Sequence, residues 1–317
     1  MTLLPFGTLP AHRPRTFVPT DLDAGDWTQI SPLFDELEKR LAACVSPEQL
    51  ERWLLEWSEL SAALDEESSR RYIAMTCHTD NADAEKAYLH FVENVEPQIK
   101  PRSFALSRQL LDHPLCGRLS SPRHDVFLRD TRTLVELFRP ENVPLETEEA
   151  KLGQQYQKLS GSLTVIFRGE ERTLVQMGRY LEEPDPALRK EAWELVANRR
   201  LQEAENFDEI FDRLARLRQQ IARNAGFDNY RDYAFRRLGR FDYTPAECEA
   251  FHDAVAREVM PLLRDLQAER RKQLGQDTLR PWDLAVDPLH RPPLKPFKEV
   301  DELVARTQRI FDRLDGE

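Results

Sequence analysis

The chain has 317 residues, 40% of them apolar and 32% charged, and 45 Lys and Arg against 56 Asp and Glu give a net charge of −11. A single hydrophobic core serves up to about 250–300 residues, so two packed helical units are expected, or one domain plus part of another. The acidic balance disfavours nucleic-acid binding, which needs a basic surface to displace phosphate counterions, and no stretch approaches the roughly 18 apolar residues of a membrane span.

Residues 1–30 read as an extended, proline-rich lead-in, with prolines at 5, 10, 14 and 19 and none of the apolar run of a signal peptide. Ser46-Pro47-Glu48-Gln49 is a capping box with proline at the first helical position. Behind it Leu50, Trp53, Leu54, Trp57, Leu60 and Leu64 repeat at helical spacing, as a core stripe rather than a ligand platform. A second long helix is expected from about Ala82 to Leu111, with Tyr88, Phe91, Val92, Val95 and Ile99 on its stripe and kinks at Pro97 and Pro101. A further helix carries Phe127, Thr131, Leu134, Val135 and Phe138.

The one clear β signal is Leu163-Thr164-Val165-Ile166-Phe167, a glycine turn, and Arg172-Thr173-Leu174-Val175, which predicts a hairpin near 163–175 lying on helices. Asp185 can cap a helix from Pro186, and Phe207, Ile210, Phe211, Leu214, Leu217 and Ile221 carry the helical pattern to Gly226. Thr244-Pro245-Ala246-Glu247 is a second capping box, and its helix should run to Gly275, bent at Pro261. The basic run Glu269-Arg270-Arg271-Lys272 reads as a solvated helix end. Residues 276–297 are irregular, and a last helix starts near Val300. The fold class is therefore all-α, a multi-helical lobe of long antiparallel helices with one small β-hairpin.

Chemistry is harder to find. Cys44, Cys77, Cys116 and Cys248 are far apart and form no CxxC pair, so free thiols in a reducing, cytoplasmic setting are expected. No two of His12, His78, His90, His113, His124, His252 and His290 stand four residues apart, so no His-Glu-x-x-His zinc helix is present. Glu249-Ala250-Phe251-His252 is one Glu-x-x-His, whereas a di-iron bundle needs two such motifs and two more glutamates. His90, followed by Glu93 and Glu96, reads as a structural histidine. With 11 glycines in the chain there is no Gly-rich phosphate loop and no Gly-x-Ser-x-Gly elbow. Arg280-Pro281-Trp282-Asp283 is the most distinctive short element and reads as a stiff structural bracket. No residue qualifies as catalytic, cofactor-binding or metal-binding.

Five elements together resemble the oligoendopeptidase F family of zinc metallopeptidases, relatives of thimet oligopeptidase. They are Cys77-His78-Thr79-Asp80-Asn81-Ala82-Asp83 with Ala87 to Glu93; the hairpin leading into Leu181-Glu182-Glu183-Pro184-Asp185-Pro186; Asn224-Ala225-Gly226-Phe227-Asp228-Asn229-Tyr230; Phe241-Asp242-Tyr243-Thr244-Pro245 with Val259-Met260-Pro261-Leu262; and Leu274-Gly275 followed by Leu279-Arg280-Pro281-Trp282-Asp283-Leu284. The resemblance implies an N-terminal helical lobe over 1–185 and the opening helices of a catalytic domain over 186–317. It also implies zinc in the complete enzyme, held by a His-Glu-x-x-His helix and a later glutamate, with short peptides as substrates. That helix follows the matched region in the family and is not found up to Glu317. The leading expectation is thus a partial oligopeptidase, inactive alone and able to bind a C-terminal catalytic half. The rival is a non-catalytic helical scaffold or adaptor derived from the same lobe; a helical di-iron enzyme is disfavoured by the histidines. The stripes through Phe207, Phe211, Leu214, Phe251, Val255, Val259 and Leu263 are expected to lack cover in the chain alone.

Overall fold

Where the sequence sets a cap before an apolar stripe, the structure has a helix. The structure is a computed structural model that describes residues 15–119, 123–291, 294 and 296–314. The chain is mostly α-helical with one small hairpin, as its caps and periodicity predict. The first half of the expected lead-in, to residue 14, lies outside the described residues, as does His12.

Helices divide between two compact units. The larger comprises Arg15–Met177 and Glu194–Leu262, and the smaller comprises Gly178–Trp193 and residues from Leu263. In the larger unit, α1 (Trp27–Ala42) begins earlier than the lead-in reading allowed. Asp26 accepts a hydrogen bond from the Thr28 amide, and Ile30, Phe34, Leu37 and Leu41 are buried at helical spacing. That burial outweighs the backbone bond lost at Pro32, which sits inside the helix. Helix α2 (Pro47–Cys77) starts at the predicted cap, though Gln49 reaches back to the Val45 amide at 2.8 Å rather than to Ser46. Trp53 is 1% exposed and donates its indole N–H to the Leu37 carbonyl at 2.8 Å, so it is core.

Helices α3 (Ala82–His90) and α4 (Glu96–Asp112) are joined by a π-helical turn, Phe91–Val95. Proline at 97 has no N–H to give the Glu93 carbonyl, and the wider turn re-registers the ladder, with the Glu96 amide reaching Phe91. The irregularity expected from Pro97 and Pro101 therefore sits just ahead of the first of them. Helix α5 (Asp125–Leu137) follows. Helix α6 (Asn142–Gly161) then fills a stretch in which the sequence reading placed no element. The main core unites α1, α2, the π turn and α4 through Phe34, Leu37, Leu50, Trp53, Leu60, Val95 and Leu106.

Strands β1 (Thr164–Phe167) and β2 (Glu170–Thr173) form the predicted antiparallel hairpin, with Phe167 opposite Glu170. Arg168 and Gly169 both have positive φ, 53° and 85°, so the turn is of the mirror-image type that suits strand twist. Leu163, Val165 and Phe167 are buried while Ile166 is exposed, the alternation of a half-buried strand. Helix α7 (Pro186–Leu201) begins at the predicted cap, where the Asp185 carboxylate accepts from the Ala187 amide at 2.9 Å. The pattern expected to continue is broken at 202–203 before α8 (Ala204–Asn224). Gly226, at φ +88°, ends α8 as predicted, with the Phe227 amide bonded to the Ala222 carbonyl. Helix α9 (Tyr230–Arg237) packs with α8 and the end of α5 around Leu137, Ile221, Ala225 and Tyr233.

The long helix expected from Thr244 is α10 (Pro245–Ala254), a π turn at Val255–Val259, and α11 (Met260–Gln273). Its capping box is complete, and the π turn again precedes a proline, Pro261. Helix α12 (Val300–Leu314) is the last element. Among the described residues of the smaller unit only Arg189, Ala192, Asp283 and Val286 are buried.

Glu59 on α2 ties down the start of the described chain. Its carboxylate accepts from the amides of Thr16 at 2.9 Å, Phe17 at 2.8 Å and Val18 at 3.3 Å. Burial pushes the Glu59 carboxyl up, but the bonds from Phe17, Thr16 and Val18 outweigh it and hold the pKa below its ordinary 4.5. A depressed folded-state pKa means that the stabilisation is complete above the ordinary carboxylate value and is lost as pH falls through the lowered one. Glu59→Ala is expected to cost about 1–3 kcal/mol in urea denaturation at neutral pH, with the deficit shrinking in acid. An unchanged midpoint would contradict this clamp.

Candidate functional site

The bracket singled out in the sequence is built around a buried ion pair in the smaller unit. Pro281–Asp283 forms a 3-10 turn in which Asp283 accepts the Arg280 amide at 3.0 Å and returns its own amide to the Arg280 carbonyl. Asp283 is 2% exposed and Arg189, on α7, is 1% exposed. Arg189 Nη2 donates to Asp283 Oδ1 at 2.8 Å, Nε to the Trp282 carbonyl at 3.1 Å, and Nη1 to the Glu183 and Pro184 carbonyls at 2.9 and 2.8 Å. Trp282 and Trp193 pack at 5.5 Å between ring centres, and Arg270 on α11 donates to the Val286 carbonyl at 2.6 Å. Arg270 thus holds the bracket's loop, beyond the solvated helix end expected of its basic run. Arg189 was not singled out as its partner, and nothing in its local sequence marks it for burial.

The histidines do not converge. His78, His90, His252 and His290 are exposed, and His90 Nδ1 lies 3.3 Å from the Asn94 side chain. Glu249 and His252 both lie on the surface, where Glu249 pairs with Arg231 at 3.5 Å. Among the described residues no three His, Cys, Asp or Glu side chains group as a metal site. The described side chains therefore offer no ligand set that fits a zinc ion. Among the described residues no helix is long and apolar enough to cross a membrane.

What this chain presents instead is apolar surface. In the larger unit a groove of about 950 Å³ is lined by Tyr156, Leu163, Val175, Phe207, Phe211 and Leu214. Phe211 is 68% exposed, and on α10 and beyond Phe251 is 66% exposed, Val259 50% and Leu262 59%. In the smaller unit Leu266, Ile310, Phe311 and Leu314 are all more than half exposed. Helices α10, α11 and α12 contain no buried residue.

Two family models match the chain. Residues 17–138 match the Peptidase M3 N-terminal domain and residues 179–314 match Peptidase family M3. The chain belongs to peptidase family M3. Among solved structures it is similar to a candidate oligoendopeptidase F determined at 3.1 Å, with 25% identity and a TM-score of 0.87 over 96% of this chain and 53% of that one. It is similar to Pz peptidase A, solved with an inhibitor, at 25% identity and a TM-score of 0.87 over 95% of this chain and 53% of that one. It also shares the fold of a candidate oligoendopeptidase F from Bacillus anthracis str. Ames, at 20% identity and a TM-score of 0.86 over 93% of this chain and 54% of that one. The chain spans about half the length of these structures. No curated protein matches it.

Removing one partner of a buried pair leaves the other charge without solvent or counter-charge. Asp283→Ala is expected to destabilise the smaller unit by about 3–5 kcal/mol, read as faster hydrogen exchange across 183–193, with Asp283→Asn milder because it keeps an acceptor. Wild-type exchange in Asp283→Ala would contradict the bracket.

Proposed function

We propose that the chain is the N-terminal part of an oligoendopeptidase F-like zinc metallopeptidase that hydrolyses short peptides in the cytoplasm, and that it is inactive alone. On this reading residues 1–185 are the helical lobe and 186–317 open the catalytic domain. The zinc ligands and the general base lie on a C-terminal half that this chain does not carry. The observation that carries the reading is the uncovered apolar surface of α8, α10, α11 and α12, in a chain that spans about half of its solved relatives. A helix buries its stripe or leaves it wet, and a contiguous exposed patch beyond a few hundred Å² is unusual for a stable monomer. At about 25 cal/mol per Å², covering even about 400 Å² contributes roughly 10 kcal/mol, comparable to the stability of a whole domain. A separately supplied C-terminal half is the partner with matching cover, with short peptides as the substrates of the assembled enzyme.

The purified chain is expected to retain no stoichiometric zinc after dialysis and to leave a quenched-fluorescent peptide intact. Adding a polypeptide that carries the His-Glu-x-x-His helix should give chelator-sensitive hydrolysis. Near-stoichiometric zinc with hydrolysis by the chain alone would overturn the proposal. A chain that ignores the added polypeptide would favour the non-catalytic scaffold.

A further inference from the structure

The groove on the larger unit selects its occupant by charge as well as by apolar contact. Phe207, Ile210, Phe211 and Leu214 stand at i, i+3, i+4 and i+7 on α8, so one face of the helix is apolar over two turns. Helix α6 contributes Tyr156, whose ring meets Phe207 edge-on at 5.7 Å, and the hairpin contributes Leu163 and Val175. Phe211 and Val175 are 68% and 89% exposed, so the apolar wall stands open. The C-terminal part of α8 is already engaged. Arg213 and Arg218 donate to Glu148 and Glu149 of α6 at 2.8 and 2.7 Å, which fixes one wall of the groove against the other.

The N-terminal part of α8 carries the opposite charge. Glu205, Asp208 and Asp212 stand at i, i+3 and i+7, so they share a flank beside the apolar row, and all three are exposed. Among the described residues Glu205 and Asp208 have no ion-pair partner, and Asp212 reaches only Arg216, at 4.0 Å. Glu209 adds a fourth exposed carboxylate on the same stretch. The helix dipole accounts for an acid in the first turn, where Glu205 lies, but its effect fades before Asp208 and Asp212. Against these four carboxylates stand Arg216 and the exposed Arg200 of the lining. The hydroxyls of Tyr156, Ser160 and Thr173 add polarity without charge. The apolar row is therefore bordered by an excess of negative charge.

We infer that this groove takes an amphipathic helix whose apolar stripe is flanked by lysine or arginine. Its apolar side chains, at i, i+3 or i+4 and i+7, lie over Phe207, Phe211 and Leu214, and its cations meet Glu205, Asp208 and Asp212. An anionic bilayer, the other common target of an exposed apolar face, is repelled by the same carboxylates. The C-terminal half supplies this helix, an attribution that rests on the proposed assembly, whereas the charge preference of the groove does not.

Three model peptides of about 18 residues probe the groove: a Leu/Lys helix with an apolar stripe, a Leu/Glu helix with the same stripe, and a Leu/Lys peptide scrambled to break the stripe. Titrated into the full chain and followed by NMR, the Leu/Lys helix should saturate and shift Val175, Phe207, Phe211 and Leu214. The other two should bind at least about tenfold more weakly, and added salt should weaken the Leu/Lys helix. Phe211→Asp, at an exposed position that the fold does not need, should weaken it by about thirtyfold. Asp208→Lys with Asp212→Lys should weaken the Leu/Lys helix by about tenfold and strengthen the Leu/Glu helix. Equal binding of the Lys and Glu helices, shifts confined to residues outside the groove, or unchanged binding to Phe211→Asp would each overturn the assignment. So would groove shifts that grow with the concentration of the chain alone, which would make a second copy the occupant. Binding of a C-terminal polypeptide without binding of the Leu/Lys helix would overturn the groove assignment and leave the proposed assembly standing; the reverse result would support the groove assignment and overturn the assembly.

Discussion

Arg189 holds a permanent charge where almost no water reaches, and the smaller unit is organised around meeting its hydrogen-bonding needs. Its guanidinium takes the Asp283 carboxylate and three backbone carbonyls, from Trp282, Glu183 and Pro184. The planar fork of arginine suits this, because its donors point in fixed directions and select the backbone geometry that can receive them. A buried pair of this kind adds little net stability over an apolar replacement, since desolvating both charges is costly. Its contribution here is position. It joins residues 183–189 to residues 280–286, which are far apart in the chain, in a unit where only two apolar side chains among the described residues are buried.

The consequence is a unit whose geometry is specified but whose helices lack cover. Isolated helices of fewer than about 12–15 residues are marginal in water, and most helical stability in proteins comes from packing an apolar face. Helix α12 has 15 residues and no buried one, and α11 has 14 with none. The larger unit differs sharply, with Leu50, Leu60, Leu106 and Leu110 fully buried. Membership of peptidase family M3, over a span about half the length of the solved relatives, gives the uncovered faces a physical rationale under the proposed assembly with a C-terminal half.

The sequence made apolar stripes and caps legible because both are local. Ser46, Thr244 and Asp185 begin helices where their side chains can reach the next amides, and the glycine turn at Arg168-Gly169 folds the hairpin back. Helix α6 was illegible for the opposite reason. It is held by polar contacts made at long range, Glu85 with Lys158, Glu93 with Lys151, Glu148 with Arg213 and Glu149 with Arg218, and it buries Asn142 and Gln154. Charges in such positions look like a solvated face until their partners are known. Helix α1 was hidden by Pro32, and the break at 202–203 by an apolar pattern that runs on across it. The bracket at Arg280 to Asp283 could be seen as a bracket, but not what it held, because Arg189 lies more than ninety positions away.

The central proposal is that α10, α11 and α12, none of which buries a residue, await a covering partner. Hydrogen exchange of residues 245–273 and 300–314, measured on the chain alone and with a polypeptide bearing the zinc helix, tests it most directly. The account predicts rapid exchange, dye binding or self-association in the chain alone, and slowed exchange in both segments when the partner is added. A monomer that binds no hydrophobic dye and protects both segments equally with and without the partner would contradict it.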